Sequence, residues 1–135
     1  CFNHTGSGEW NKTTLEDAYD IDINNADGVD ETFNETTHPE FYVGTVQITA
    51  DSCPNQETYI NSATQSGRFH EVMLNDGSGR VAIFTTILEE DAEGVDADVV
   101  GFDGETHDFQ MLLLEDGHDG QEDINTAYYF WVEMD

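Results

Sequence analysis

The sequence predicts an all-β fold, an antiparallel β-sandwich of about seven to eight strands, immunoglobulin-like or jelly-roll-like in broad class. Three observations carry this. Short runs rich in β-branched and aromatic residues recur at regular spacing after residue 40. Asp-Gly turn chemistry punctuates the chain at Asp76, Asp103, Asp116 and Asp119. No amphipathic helical stripe separates the runs. The 135 residues make one domain, 1–135. A chain of that size buries roughly two-thirds of its unfolded surface, enough for a single core.

Taken in order, residues 1–14 ("CFNHTGSGEWNKTT") are polar and rich in Gly, Ser and Thr, and read as an extended amino-terminal segment, a donor strand or a tether. In "DIDINNADGVDE" (20–31), Tyr19, Ile21 and Ile23 alternate with Asp20, Asp22 and Asn24. That is the period of a half-buried strand ending at the "NADG" turn. The same stretch offers Asp20, Asp22, Asn24, Asp27 and Asp30 as oxygen ligands for a weakly held calcium ion. The match to a helix–loop–helix calcium site is partial: Glu31 stands at the twelfth position, but Asn25 occupies the sixth, where glycine is needed.

Beyond residue 40, "FYVGTVQITA" (41–50) reads as a strand and "ETYINSATQ" (57–65) as a more polar edge strand. "RFHEVML" (68–74) and "RVAIFTTILEE" (80–90) flank "NDGSG" and form a hairpin. "VDADVVGF" (95–102) and "HDFQMLLLE" (107–115) flank a tight "DGE" turn, and "INTAYYFWVEM" (124–134) is the last strand. The strands at 107–115 and 124–134 are apolar on both faces, whereas the outer strand face of a free sandwich is polar. Phe109, Met111, Leu113, Tyr129 and Trp131 are therefore the expected assembly interface.

Charge narrows the function classes. Thirty Asp and Glu against three basic residues (Lys12, Arg68, Arg80) give a net charge of -27. Such a chain repels itself at low ionic strength, and molar salt shortens the reach of that repulsion from about 10 Å at 0.1 M to about 3 Å. The acids run along the whole chain, which suits a protein of molar salt rather than one with an acidic interaction tail. Direct nucleic-acid binding is excluded, because no basic patch exists to neutralise phosphates. No stretch is apolar for long enough to span a membrane.

The chain begins with Cys1, which reads as a processed start. Sequons at Asn3, Asn11 and Asn34 are acceptors for N-glycans on an exported chain. Cys1 and Cys53 suit one disulfide. A lipid on Cys1 is the rival use, and a free, buried Cys53 the third possibility.

Catalytic signatures are missing: no G-x-S-x-G elbow, no phosphate-binding G-x-x-x-x-G-K-[ST] loop, no H-E-x-x-H and no C-x-x-C. His4, His38, His70, His107 and His118 show no ligand spacing, and with 30 acids a pair of neighbouring carboxylates carries no information. "EDGHDGQED" (115–123), with Asp116, Asp119, Glu122 and Asp123, reads as a solvated loop and a second place for a cation. No enzyme and no obligatory cofactor is expected.

In its acidic composition, its sequons and its aromatic terminal strand "TAYYFWVEMD", the chain resembles exported, N-glycosylated β-sandwich surface proteins of halophilic archaea. These include pilus and filament subunits. No long hydrophobic helix of the type IV pilin kind is present, which departs from the pilin and archaellin pattern. The resemblance implies a subunit of a cell-surface or adhesive filament that polymerises with itself by donor-strand addition, as camelysin-like fibres and bundling pili do. The alternatives are a monomeric secreted or lipid-anchored binding module, or a virion or surface-layer component.

Overall fold

The computed structural model describes residues 1–2, 11–22, 25–26, 28–59, 65–77, 82–88, 99–113 and 129–133. Within them the chain runs α1 (Lys12–Ala18), α2 (Val29–Thr32), β1 (Phe41–Val43), β2 (Val46–Ile48), β3 (Asn55–Tyr59), β4 (Gln65–Asn75) and β5 (Ala82–Thr86). It is a small sheet-rich fold with two antiparallel sheets, one ordered β1-β2 and the other β3-β4-β5.

β4 organises the molecule. From Phe69 to Leu74 every residue is at most 7% exposed, so the strand is covered on both faces. Its two faces enter different clusters because successive side chains point to opposite sides. Met73 joins Phe2, Leu15, Val29 and Phe33, with Tyr19, Ile21, Ala82 and Phe84 packed around them. Val72 and Leu74 join Cys53, with Phe41, Ile48 and Ile87 around them. The helices and Phe2 thus cover one face, and the β1–β2 hairpin reaches the other. Phe2 is held like a strand residue, its N–H donating to the Met73 carbonyl at 3.0 Å.

The helices correct the all-β expectation, and residues 12–14 of the expected extended segment lie in α1. Local chemistry explains α1. Asn11 caps it: its side chain accepts from Thr14 N–H, and Thr14 Oγ1 accepts from Asn11 N–H, which completes a capping box. The helix stops at Asp20, in the left-handed region at φ 53°. Ile21 N–H then reaches back to Glu16 O at 2.9 Å and Asp20 N–H to Asp17 O at 3.3 Å, a Schellman closure with aspartate in the usual glycine place. Seven residues are too few for a free-standing helix, so packing of Leu15 against Val29 and Met73 sustains it. The expected strand at 19–24 is absent over its described residues. Its alternation nevertheless predicted exposure correctly: Tyr19 and Ile21 are partly buried, Asp20 and Asp22 exposed.

Strand boundaries differ from the sequence reading in five of the expected runs. The run 41–50 is two short strands, because Gly44 takes φ +57° in a two-residue loop that pairs Val43 with Val46. Of the run 57–65, residues 57–59 end β3 and residue 65 begins β4, with Tyr59 opposite Gln65. Residues 107–113 and 129–133 form no strand, nor do 99–102, which contribute one isolated bridge, Val100 to Thr106. A run of strand-forming residues becomes a strand only when a neighbour continues its backbone hydrogen bonds; here Gly101 N–H donates to Glu105 O and His107 N–H to Val99 O around the single bridge, and among the described residues the pairing goes no further. The β4–β5 hairpin is as expected, from Glu71 opposite Thr86 to Asn75 opposite Ala82. The Asp103-Gly104 turn is present too, with Gly104 at φ +88°. Residues 23–24, 60–64, 80–81, 89–90, 95–98, 114–115, 124–128 and 134 of the expected strands lie outside the described residues.

Candidate functional site

Residues 109–113 are held to the sheet by side chains, not by backbone pairing. Gln110 is the fastener. Its Nε2 donates to Thr58 Oγ1 of β3 at 2.9 Å, its Oε1 accepts from Phe102 N–H at 2.5 Å, and its carbonyl accepts from Thr86 Oγ1 of β5 at 2.5 Å. Two residues on, Leu112 N–H donates to Glu71 Oε2 at 3.0 Å. The same oxygen accepts from Gln56 Nε2 at 2.6 Å. Glu71 is fully buried, and its Oε1 has no partner. Burial pushes its carboxyl up to about 7, against the pull of the Leu112 N–H and the Gln56 amide.

This fastening leaves the apolar side chains facing water. Phe109 is 49% exposed and Leu113 45%, with Met111 half-buried between them. Phe102, Asp103, His107, Phe109, Gln110 and Met111 line an open cleft of about 250 Å³. Beside it His107 Nε2 meets Asp103 Oδ1 at 2.9 Å. The Glu105 N–H, and then His107, hold the Asp103 carboxyl below its ordinary range.

The second apolar stretch is more exposed still. Tyr129 is 75% and Trp131 84% exposed, their rings 6.1 Å apart, and Phe130 and Val132 are also open. One polar contact fixes its end: both Glu133 carboxylate oxygens accept from Gly44 N–H in the hairpin turn, at 2.7 and 3.0 Å. All five of these residues, Phe109, Met111, Leu113, Tyr129 and Trp131, are at least partly exposed.

Cys1 and Cys53 form the expected disulfide. The Cys1 sulfur is thereby engaged and cannot also carry a thioether-linked lipid, which removes the anchored alternative at that atom. His38 braces the buried end. Its Nε2 accepts from Ser52 N–H at 3.2 Å and Cys53 N–H at 3.0 Å, while Nδ1 lies 2.8 Å from the Pro39 carbonyl. This histidine is a hydrogen-bonded strut. Of the sequons, Asn34 is exposed, Asn11 is the half-buried cap of α1, and Asn3 lies outside the described residues.

The expected calcium set is not assembled as the sequence suggested. Asp20 and Asp22 are exposed, Asp30 is partly buried in α2, and Asn24 and Asp27 lie outside the described residues, as do Asp116, Asp119, Glu122 and Asp123. No group of three or more His, Cys, Asp or Glu side chains is gathered among the described residues. Asp30 instead faces a residue the sequence did not flag. Glu16 is fully buried, and its Oε1 accepts from Asp30 N–H at 3.0 Å. Burial raises the Glu16 carboxyl above its ordinary range; the Asp30 and Val29 N–H groups pull it down, and the Asp30 carboxyl beside it adds to the rise. One acid among 30 carries no mark of burial in the sequence. Its place beside Leu15, inside a capped helix, was the available signal.

Comparison with family models, curated proteins and solved structures gave no match.

Proposed function

We propose that this protein is a structural subunit of an extracellular filament or pilus in a high-salt environment, and that its copies join by β-strand addition. One observation supports this most. Two stretches of strand-forming, apolar residues, 109–113 and 129–133, stand largely exposed with no strand partner among the described residues. The five strands among the described residues approach the expected sandwich when such stretches pair with sheet edges of a neighbouring copy. The donor then sits towards the carboxyl end. Phe2 and Cys1 are fastened to their own core, and residues 12–14 are helical. High salt favours such contacts, since it screens the charge of -27 and strengthens apolar burial. The Cys1–Cys53 bond suits an oxidising, extracellular setting, and Asn11 and Asn34 are the glycan acceptors within the described residues.

Light scattering and electron micrographs in about 3 M salt test this, since screening there is close to complete. The full chain forms polymers and a Tyr129→Ser/Trp131→Ser variant stays monomeric. A full chain that is a compact monomer under those conditions ends the filament reading and leaves a secreted binding module in its place.

A further inference from the structure

Gly28 lies at a point where three oxygens converge. A side chain there would meet Glu16 Oε1 at 2.8 Å, the Asn25 carbonyl at 3.0 Å and Asp30 Oδ1 at 3.3 Å. Two of these belong to carboxylates with a second peculiarity: Glu16 Oε2 and Asp30 Oδ1 are both buried and accept no hydrogen bond. Glu16 is completely enclosed. Glu16 Oε1 has the Asp30 N–H as donor, but two neighbouring carboxylates that each keep one buried oxygen without a donor are costly unless something positive lies between them. Lys12, the nearest basic residue in sequence, does not serve. Its Nζ donates to the Asp30 and Phe33 carbonyls, both at 3.2 Å, at the other end of α2.

We propose that Glu16, Asp30 and the Asn25 carbonyl, gathered against the bare Cα of Gly28, form a binding site for one divalent cation of the calcium class. The donor set is all oxygen and mixes carboxylates with a backbone carbonyl, as hard cations prefer. Two carboxylates balance a double charge. Calcium suits the site better than magnesium, because it accepts irregular geometry and carbonyl ligands, whereas magnesium holds to an octahedron of mostly water. The Asn25 carbonyl already accepts from Gly28 N–H at 2.9 Å and keeps a second lone pair. Water completes the shell. Bound there, the cation ties α1 to α2 and to the turn between them, and so secures the layer that covers Met73. This site does not depend on the filament reading.

The test uses the full chain in about 2 M NaCl, where diffuse attraction of cations to the surface acids is screened. Calcium is added and followed by equilibrium dialysis, by melting temperature and by amide chemical shifts. One saturable site per chain is expected, with a raised melting temperature and the largest shifts at Asn25, Gly28 and Asp30. Glu16→Gln keeps the oxygen that caps Asp30 N–H but removes the charge, and should weaken calcium at least roughly tenfold, as should Asp30→Asn. Asp17→Asn, on the exposed side of α1, should bind as the original does. A wild-type chain with no saturable calcium, or one whose shifts centre elsewhere, overturns the proposal without recourse to any variant. So does a folded Glu16→Gln chain that binds calcium as tightly as the original. A variant that melts higher while the wild type ignores calcium shows that the two carboxyls merely share a proton.

Discussion

Residues 69–74, "FHEVML", and 109–114, "FQMLLL", both open on Phe and close on Leu, and their described residues meet opposite fates. The first is the buried heart of β4. The described part of the second, 109–113, makes no strand and shows Phe109, Leu112 and Leu113 to water. Hydrophobicity does not separate them; partners do. β4 has β3 on one edge and β5 on the other. The second run is attached to the sheet through Gln110 and the Leu112 N–H. Charge widens the difference. Residues 1–88 carry 14 acids and all three basic residues, whereas residues 89–135 carry 16 acids and no basic residue. The later segment is therefore about twice as dense in negative charge. An apolar run set in it meets like charge on approaching its own body, and the same would hold for a neighbouring copy until salt screens both.

The largest effect that would break the comparison is salt itself. Lowering salt from molar to about 0.1 M should collapse the β circular dichroism signal, since screening then reaches only about 10 Å. Hydrogen exchange at intermediate salt should sharpen it: Leu112 N–H loses protection before the amides of β4. Simultaneous loss would mean that the two regions form one cooperative unit, and an unchanged spectrum would remove the high-salt reading.

Cys1→Ser comes next. It opens a loop with a sequence separation of 52 and should destabilise the first region by about 4 kcal/mol in the chain-entropy picture, read by denaturant melts. The exposure of 109–113 should not change.

Glu71 joins the two regions and gives a pH signature. Its carboxyl titrates at an ordinary 4.5 when unfolded and about 7 when folded, so the folded chain holds the proton more tightly. Its stabilising contribution is complete below about pH 4.5, falls as the pH rises through 7 and is gone above it. A shift of that size corresponds to about 3 kcal/mol. Glu71→Gln should therefore match the original near pH 4.5 and exceed it by about that amount at pH 8. Parallel stability curves for the two proteins would refute the assignment.

Two smaller effects complete the series. Asn11→Ala removes the α1 cap and should cost about 1 kcal/mol. Trp131→Ser should change stability by less than about 0.5 kcal/mol, because its ring packs on little, while reducing self-association in molar salt. A large loss of stability in that variant would place Trp131 in the core.

How much was legible in the sequence follows from the range of each interaction. The β4–β5 hairpin and the Asp103-Gly104 turn were visible because local turn chemistry sets them. Alternation at Tyr19, Asp20, Ile21 and Asp22 revealed which residues face inward and not which element they form, since a Schellman closure reproduces the pattern for a few residues. α1 was missed although its capping pair Asn11 and Thr14 stands in the sequence, because seven residues give too short a stripe to register as periodic. Of the expected calcium ligands, Asp30 alone among the described residues sits at a buried oxygen cluster, and its companion Glu16 looked like any other acid.

By itself the sequence determined what is additive or local: the net charge, the acidic surface, the turns, the alternating faces and the pairing available to two cysteines. Only the tertiary structure decided which apolar run became the centre of a sheet and which stayed at its surface. It also decided that Glu16 and Glu71, among the described acids, were carried into the interior. The physical reason is that burial and backbone pairing are settled between segments far apart in the chain. Among the described residues β4 gained two strand neighbours and residues 109–113 none, a difference that no window around either run contains.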